Sequence, residues 1–199
     1  MLGNDVVDLA DRDTLSGATH TRFDDRVFAA AERQAIARSA CGERLRWRLW
    51  AAKESAFKAA KRVDPRTVFS PRRFEVLVVD DEVAAVIHGA SRWTVRVRQS
   101  DEALHAIALA SGTEIAEPVH GFVRVAPDET DLSRAVRRLA LDRIATDLDV
   151  EVDRLAIGRH GRIPYVLLDG RPAPLELSLS HHGGVIGFAA ALRTSGEAA

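Results

Sequence analysis

The order of strand-like and helix-like patterns constrains the fold of this 199-residue chain more than any other feature of the sequence. In the first half, a short apolar strand at residues 2–9 precedes helical spacing of apolar residues at 24–39 and 43–62. Runs of strand-forming residues then alternate with short polar turns, as in an antiparallel meander. These runs cover residues 74–79, 83–88, 93–98 and 104–110. The first half is therefore predicted to be α+β, with helices packed on a small antiparallel sheet.

The second half begins after a polar connector at residues 114–118, which ends in proline. A strand at 121–125 precedes a helix at 131–147, for which Asp131 is the expected N-cap. Further strands are predicted at 155–158, 165–168, 175–180 and 185–192. The sequence thus predicts a first lobe at residues 1–113, a second at 119–193, and a polar tail at 194–199.

Composition limits the classes of function. A net charge of −1 provides no overall field that favours nucleic acid or an anionic membrane, so any polyanion must be bound by a local cluster. The single cysteine, Cys41, excludes an internal disulfide framework and a cysteine zinc cluster. No stretch reaches the roughly 18 apolar residues that span a bilayer, and no secretory signal pattern is present, so a cytoplasmic protein is expected. GxGxxG and GxxxxGKS/T motifs are also absent, which argues against Rossmann and P-loop enzymes.

All three lysines lie within nine residues, at Lys53, Lys58 and Lys61, while the other 25 strongly basic residues are arginines. A lysine ammonium binds phosphate oxygens as a compact point charge. On the predicted helix, Trp50, Glu54, Lys58 and Lys61 share one face, which places a carboxylate beside two ammonium groups. This face is a candidate phosphate and metal site, although Glu54 and Lys58 at this spacing also form an ordinary helix-stabilising pair.

Two aspartates near the N-terminus are candidate metal ligands. Asp5 and Asp8 point to opposite faces of a strand, so both cannot bind one ion, and Asp5 is the preferred ligand. The alternative is that Asp5 is an ordinary turn residue beside Gly3. Magnesium prefers oxygen ligands and takes one or two protein carboxylates, with water and phosphate completing its shell. Asp5 and Glu54, beside Lys58, would suit a magnesium–pyrophosphate complex.

A third candidate segment is residues 177–184, where alternating serines lead into two histidines and two glycines. Hydroxyl, imidazole and backbone amide groups at a strand end can hold phosphate oxygens. We interpret His181 as a ligand contact and His182 as an exposed loop histidine. A Ser-His pair also suggests a hydrolase, but adjacent strand residues point apart and the sequence has no GxSxG elbow.

Taken together, three motifs resemble the 4′-phosphopantetheinyl transferase superfamily. They are residues 3–7 (GNDVV), 50–58 (WAAKESAFK) and 178–181 (SLSH), which correspond to the family's GxD strand, WxxKEAxxK helix and N/S-x-S-H segment. The motif order is that of the small holo-acyl-carrier-protein synthase type. The length matches the two-lobed, surfactin-synthetase-activating type, from which this chain would differ by a circular permutation.

The resemblance implies an α+β fold of two similar lobes, a pseudo-dimer in which each lobe is a small, mostly antiparallel sheet packed with helices. It implies a monomer with an internal pseudo-twofold and one site in the cleft. The implied activity is magnesium-dependent transfer of the 4′-phosphopantetheine arm of coenzyme A to a serine of an acyl or peptidyl carrier protein. Adenosine 3′,5′-bisphosphate would be released, and the pathway would be polyketide or fatty acid biosynthesis.

The resemblance also implies residue roles. Asp5 and Glu54 would bind Mg²⁺, and Asp8 would support the metal site from outside its ligand set. Glu54 would take the proton of the carrier serine, and Lys58 would stabilise the departing phosphate. Coenzyme A would be bound by Lys58, Lys61, Ser180, His181 and Arg162.

One departure from the family pattern leaves a second function open. Val7 stands where the larger type has another acidic residue, which would suit a non-catalytic module that binds coenzyme A or a carrier protein. A magnesium-dependent phosphohydrolase is a remoter alternative. The basic run at residues 44–48 (RLRWR) is either a docking surface for an acidic carrier helix or a solvated helix face.

Overall fold

Over residues 1–15, 17, 22–79, 82–111 and 117–193, which this computed structural model describes, the chain forms two five-stranded sheets and four α-helices. The helices are α1 (Phe23–Val27), α2 (Ala30–Arg38), α3 (Gly42–Val63) and α4 (Leu132–Leu148). The strands are β1 (Leu2–Asp8), β2 (Glu75–Val79), β3 (Glu82–His88), β4 (Ser91–Gln99), β5 (Ala103–Ala110), β6 (Val119–Arg124), β7 (Leu155–His160), β8 (Ile163–Leu168), β9 (Arg171–His182) and β10 (Val185–Leu192). None of the helices in these ranges has the length and apolar character needed to cross a membrane.

The first sheet has the order β1-β5-β4-β3-β2, with every neighbouring pair antiparallel. Helix α3 packs across it through a stripe of small residues, Ala52, Ala56 and Ala59, which are fully buried. Alanine is the strongest helix former and leaves little bulk, so α3 can approach the sheet closely. The contact is closest at Gly3 of β1, where a Cβ atom would lie 2.1 Å from the Ser55 carbonyl oxygen.

The second sheet has the order β6-β10-β9-β8-β7. When the strands of each half are counted along the chain, both sheets therefore have the same spatial order, first-fifth-fourth-third-second. Its pairs are also antiparallel. Helix α4 lies between β6 and β7 in the chain and packs on this sheet through Val136, Ala140 and Ile144. Asp131 caps it by accepting the backbone N–H of Arg134 at 2.9 Å, as the sequence predicts.

The two sheets meet where the outer edge of β1 faces the side chains of β9. Three successive outward N–H groups of β1 donate to three alternate side chains of β9, an arrangement we call the side-chain ladder. The pairs are Asn4 N with Ser178 Oγ (3.0 Å), Val6 N with Ser180 Oγ (3.4 Å) and Asp8 N with His182 Nδ1 (3.1 Å). Strand residues alternate in direction, so every second side chain of β9 reaches the same neighbour.

The α+β class and the two-lobed arrangement are confirmed. The single helix predicted at residues 24–39 is wrong, because Phe28 and Ala29 are extended and separate α1 from α2. The break places Phe28 fully in the core, and the Glu32 carboxylate accepts the Ala29 N–H at 2.7 Å. The predicted tail at 194–199 and residues 114–116 of the predicted connector lie outside the described residues, so the predicted lobe boundaries stay a prediction.

Candidate functional site

A pocket of ≈ 350 Å³ opens where β1, α3 and β9 come together. Its lining draws on all three sequence motifs. The lining residues are Asp5, Val6, Trp50, Glu54, Lys58, Leu179, Ser180, His181 and His182. The structure therefore brings Asp5, Glu54 and Lys58 of the first half together with Ser180 and His181 of the second.

Asp5, Lys58 and Ser180 form a closed set of contacts at the base of this pocket. The Lys58 ammonium donates to Asp5 Oδ1 at 2.7 Å and to Ser180 Oγ at 3.0 Å. The Ser180 hydroxyl in turn donates to Asp5 Oδ1 at 2.8 Å. Among the described residues, the ion pair of Lys58 is thus with Asp5 on β1, and it joins α3 to the strand and both to β9.

Glu54 faces the same pocket from α3, four residues before Lys58. The pKa of Glu54 is raised to about 7: burial is the largest cause, the negative charge of Asp5 adds to it, and the positive charge of Lys58 partly offsets both. The carboxylates of Asp5 and Glu54 therefore lie near each other, and neither solvent nor the charge of Lys58 fully compensates their two negative charges.

This donor set fits a magnesium ion. Within the described ranges no group of three or more histidine, cysteine or acidic residues could hold a metal alone, so water and substrate phosphate would have to supply further oxygens. Mg²⁺ commonly binds in this way, through one or two carboxylates. Asp5 and Glu54 are the residues that could hold it.

Asp8 lies away from this pocket and ties the turn between β9 and β10 to β1. Its carboxylate accepts from Arg124 at 3.0 and 2.6 Å and from the Gly184 N–H at 2.8 Å. Burial would raise the pKa of Asp8, but these hydrogen bonds outweigh it and leave the pKa lowered. Gly183 has a φ of +52°, and a Cβ there would lie 2.6 Å from Asp8 Oδ2, so this turn requires glycine.

The three lysines have three different environments. Lys53 is fully buried and donates to the Glu32 carboxylate at 2.8 Å, so its ammonium does not reach the pocket. Lys61 is not brought to the pocket, since its ammonium donates to the carbonyls of Pro65 and Thr67 at 3.1 and 3.0 Å. Lys58 is the lysine that lines the pocket.

Arg162 lies in a neighbouring pocket of ≈ 270 Å³, which shares His181 and Leu179 with the first. Arg137 of α4 and Arg159 of β7 line it as well. Three guanidinium groups beside an imidazole form a suitable site for an anion. The sequence reasoning missed Arg159, which no local motif distinguishes from the other arginines.

The interpretation of His182 as an exposed loop residue is wrong. His182 closes β9, accepts the Asp8 N–H through Nδ1 and lines the pocket. The period-two repeat of polar residues at Ser178, Ser180 and His182 was the signal that could have shown it.

Comparison with known proteins agrees with the motifs. Residues 1–110 match the model of the 4′-phosphopantetheinyl transferase superfamily. A solved structure, holo-acyl-carrier-protein synthase of Thermotoga maritima, aligns with a TM-score of 0.44 at 13% identity, covering 86% of this chain and 83% of that one. No curated protein matches the sequence.

Proposed function

This chain belongs to the 4′-phosphopantetheinyl transferase superfamily, and on that premise we propose that it moves the 4′-phosphopantetheine arm from coenzyme A to a serine of an acyl or peptidyl carrier protein. Adenosine 3′,5′-bisphosphate is the second product. The observation that carries the proposal is the single pocket in which Asp5, Glu54 and Lys58 meet Ser180 and His181.

Phosphoryl transfer depends more on charge neutralisation and on positioning of the substrates than on covalent catalysis by the protein. The serine oxygen bonds to the phosphorus that carries pantetheine, and the bond from that phosphorus to the bridging oxygen breaks. Glu54 accepts the serine proton, directly or through a water molecule. Lys58 offers its ammonium to the departing phosphate. Asp5 and Glu54 would hold Mg²⁺, which would supply positive charge to the pyrophosphate oxygens.

The nucleotide end of coenzyme A is assigned to the neighbouring pocket. His181 lines both pockets, so a ligand that occupied both would lie beside the His181 imidazole. Arg162, with Arg137 and Arg159, supplies positive charge for the nucleotide phosphates there. Lys61 is not retained as a contact, because its donors are directed to backbone carbonyls.

We propose one site per chain in a monomer, because residues from both halves of one chain line the pocket. A light-scattering mass equal to one chain is expected. A trimer would contradict this assignment.

A non-catalytic module that binds coenzyme A or a carrier protein is the second candidate. It is favoured by Val7, which is 1% exposed and packs in the core of the first half, so that no third carboxylate joins Asp5 and Glu54 from this strand.

The test is to incubate an apo carrier protein, coenzyme A and MgCl₂ with the protein and to record the intact mass of the carrier. A gain equal to the phosphopantetheine arm is the expected result. An unmodified carrier that still binds would favour the module, and phosphate release without modification would favour hydrolysis.

Glu54→Gln is the matched variant for this assay. It keeps the size of the side chain but removes the metal-binding charge and the proton acceptor. We expect no detectable transfer, with an unchanged far-UV circular dichroism spectrum. Turnover near that of the wild type at saturating Mg²⁺ would show that the site is assigned wrongly.

A further inference from the structure

His182 contributes an imidazole to the pocket that the sequence motifs do not account for. It ends β9, is half-buried, and lines the same pocket as Asp5, Glu54 and Lys58. The motif resemblance ends one residue earlier, at His181. Unlike His181, His182 does not line the neighbouring pocket, so it belongs to the side of the site that is assigned to the metal and the pyrophosphate.

The hydrogen bond to β1 determines which nitrogen of His182 carries the proton. Nδ1 accepts the backbone N–H of Asp8 at 3.1 Å, so Nδ1 presents a lone pair to β1. A neutral imidazole has one N–H donor and one acceptor nitrogen, and with Nδ1 as the acceptor the proton lies on Nε2. Among the described residues, no group forms a hydrogen bond with Nε2. The ring therefore has an N–H donor available for a molecule in the pocket.

Three restraints fix the position of this ring before a substrate binds. The donor to Nδ1 is a main-chain group of β1, where Asp8 pairs with Ala103 of β5. The backbone of His182 pairs with Val185 of β10 across a tight turn. Gly184, in this turn, donates its N–H to the Asp8 carboxylate at 2.8 Å. A donor held in this way loses little conformational freedom when it binds a ligand.

We propose that His182 is a further substrate-binding residue, which donates its Nε2–H to an oxygen of the pyrophosphate of coenzyme A. This inference rests on the proposed function and adds a residue to its site. Asp5 and Glu54 supply negative charge, so an anion in this pocket needs hydrogen-bond donors, and His182 supplies one in addition to Lys58. Pyrophosphate oxygens are charged acceptors, to which hydrogen bonds are stronger than those between neutral groups.

Two substitutions separate the roles of the two ring nitrogens. His182→Asn places an amide oxygen where Nδ1 accepts the Asp8 N–H, but it has no atom at the position of Nε2. His182→Gln places an amide nitrogen near the position of Nε2, but it has no acceptor at the position of Nδ1. The first variant therefore keeps the hydrogen bond to β1 and loses the donor, and the second does the reverse.

Calorimetric titration with coenzyme A in the presence of MgCl₂ compares these variants with the wild type. For His182→Asn we expect about tenfold weaker binding at an unchanged melting temperature. For His182→Gln we expect an affinity within about threefold of wild type and a lower melting temperature, because the Asp8 N–H loses its acceptor. Dephospho-coenzyme A lacks the 3′-phosphate but keeps the pyrophosphate, so its affinity should fall by the same factor in His182→Asn.

Heteronuclear NMR spectra of the imidazole nitrogens provide a readout that does not depend on turnover. The signals of His182 are identified by their absence from the spectra of His182→Asn. In the ligand-free wild type we expect a protonated Nε2 and an unprotonated Nδ1. Addition of coenzyme A should shift the Nε2 resonance while Nδ1 stays unprotonated.

Three results would overturn the proposal. Binding of coenzyme A to His182→Asn with wild-type affinity would show that His182 serves only to hold β1. A loss of affinity for coenzyme A but not for dephospho-coenzyme A would assign His182 to the 3′-phosphate. A proton on Nδ1 in place of Nε2 would remove the donor. If the wild type binds coenzyme A but transfers no arm, the proposed function fails, while the same titrations still decide the role of His182.

Discussion

At the scale of single residues, packing assigns different roles to three identical side chains of α3. Burial lowers the pKa of Lys53, which its pairing with Glu32 opposes, and its ammonium also donates to the Phe74 carbonyl at 2.5 Å. Lys53 is thereby committed to joining α2, α3 and the chain before β2. Lys58 is 30% exposed and faces the pocket, so it can exchange a protein partner for a substrate oxygen.

Lys58→Arg tests whether the site needs the compact ammonium group of lysine or only a positive charge. The ammonium contacts Asp5 and Ser180 within 3.0 Å, a space that a longer, planar guanidinium does not fit. We expect turnover to fall by about tenfold or more, equivalent to roughly 1.4 kcal/mol of transition-state stabilisation, with little change in melting temperature. Stopped assays and thermal melts of the two proteins measure both quantities. Unchanged turnover would mean that any cation suffices at this position.

His105 should make stability depend on pH. It is fully buried, and burial, with the nearby His120 and Lys58 charges, lowers its pKa to about 3. Because the unfolded chain takes up this proton near pH 6.5, the neutral His105 contributes stability above that pH. This contribution is lost progressively as the pH falls towards about 3, by up to about 1.4 kcal/mol per pH unit.

Urea unfolding between pH 7.5 and 4.5 tests this dependence. His105→Gln should show a flatter decline in the free energy of unfolding than the wild type. His160→Gln, at an exposed strand end, is the control and should leave the slope as it is. Parallel curves for wild type and His105→Gln would contradict the assignment.

At the scale of elements, the sequence predicted those strands, helices and site residues that follow from the local spacing of residue types. Period-two and helical spacing located β1, α3 and the meander, and the motifs identified Asp5, Glu54, Lys58 and His181 as pocket residues. The break at Phe28 was missed because it depends on burying one aromatic ring in a core that other segments build. The role of His182 was missed because its partner, Asp8, is 174 residues away in the chain.

Gly3→Ala should disturb the packing of α3 on β1. The new methyl group would lie 2.1 Å from the Ser55 oxygen and 2.6 Å from the Ala59 nitrogen, both backbone atoms of α3. The helix must therefore shift as a unit, at a cost of about 1–3 kcal/mol, and Glu54 shifts relative to Asp5. We expect lower stability in urea titrations and a loss of activity larger than the loss of folded protein.

Gly89→Ala is the control for this substitution. Gly89 has a φ of +58° and no atom within 4 Å of a new Cβ, so the cost is confined to backbone strain, roughly 1–2 kcal/mol. Activity per folded molecule should be unchanged. If Gly3→Ala behaved in the same way, the close contact of β1 and α3 would not determine the site.

At the scale of the whole molecule, both described ends of the chain lie against one segment of β9. The Met1 amino group is 3.7 Å from Glu176, and the Arg193 N–H donates to the Pro174 carbonyl at 2.8 Å. A circular permutation requires chain ends that lie close together, so this geometry is compatible with the permutation proposed from the motif order.

A permuted chain tests that relation. Residue 199 would be joined to residue 1 by a short flexible linker, and the chain would be opened within residues 112–116. All contacts between the described strands and helices could then form. We expect a monomer by light scattering, with transfer activity within a few-fold of the original. An inactive or trimeric product would argue that the present order of the halves is required.

The side-chain ladder also bears on how this chain avoids aggregation. β1 is an edge strand, and an edge strand with open N–H groups can pair with other chains. Here the outward N–H groups are covered by residues that a ribosome adds some 170 positions later. Until β9 is synthesised, the nascent first sheet exposes this edge together with the apolar Leu2 and Ile107, which later pack on Ala189 and Ala191. Chaperone engagement is therefore most needed in the interval between the two halves of synthesis, and truncated products that end before β9 should accumulate as insoluble material.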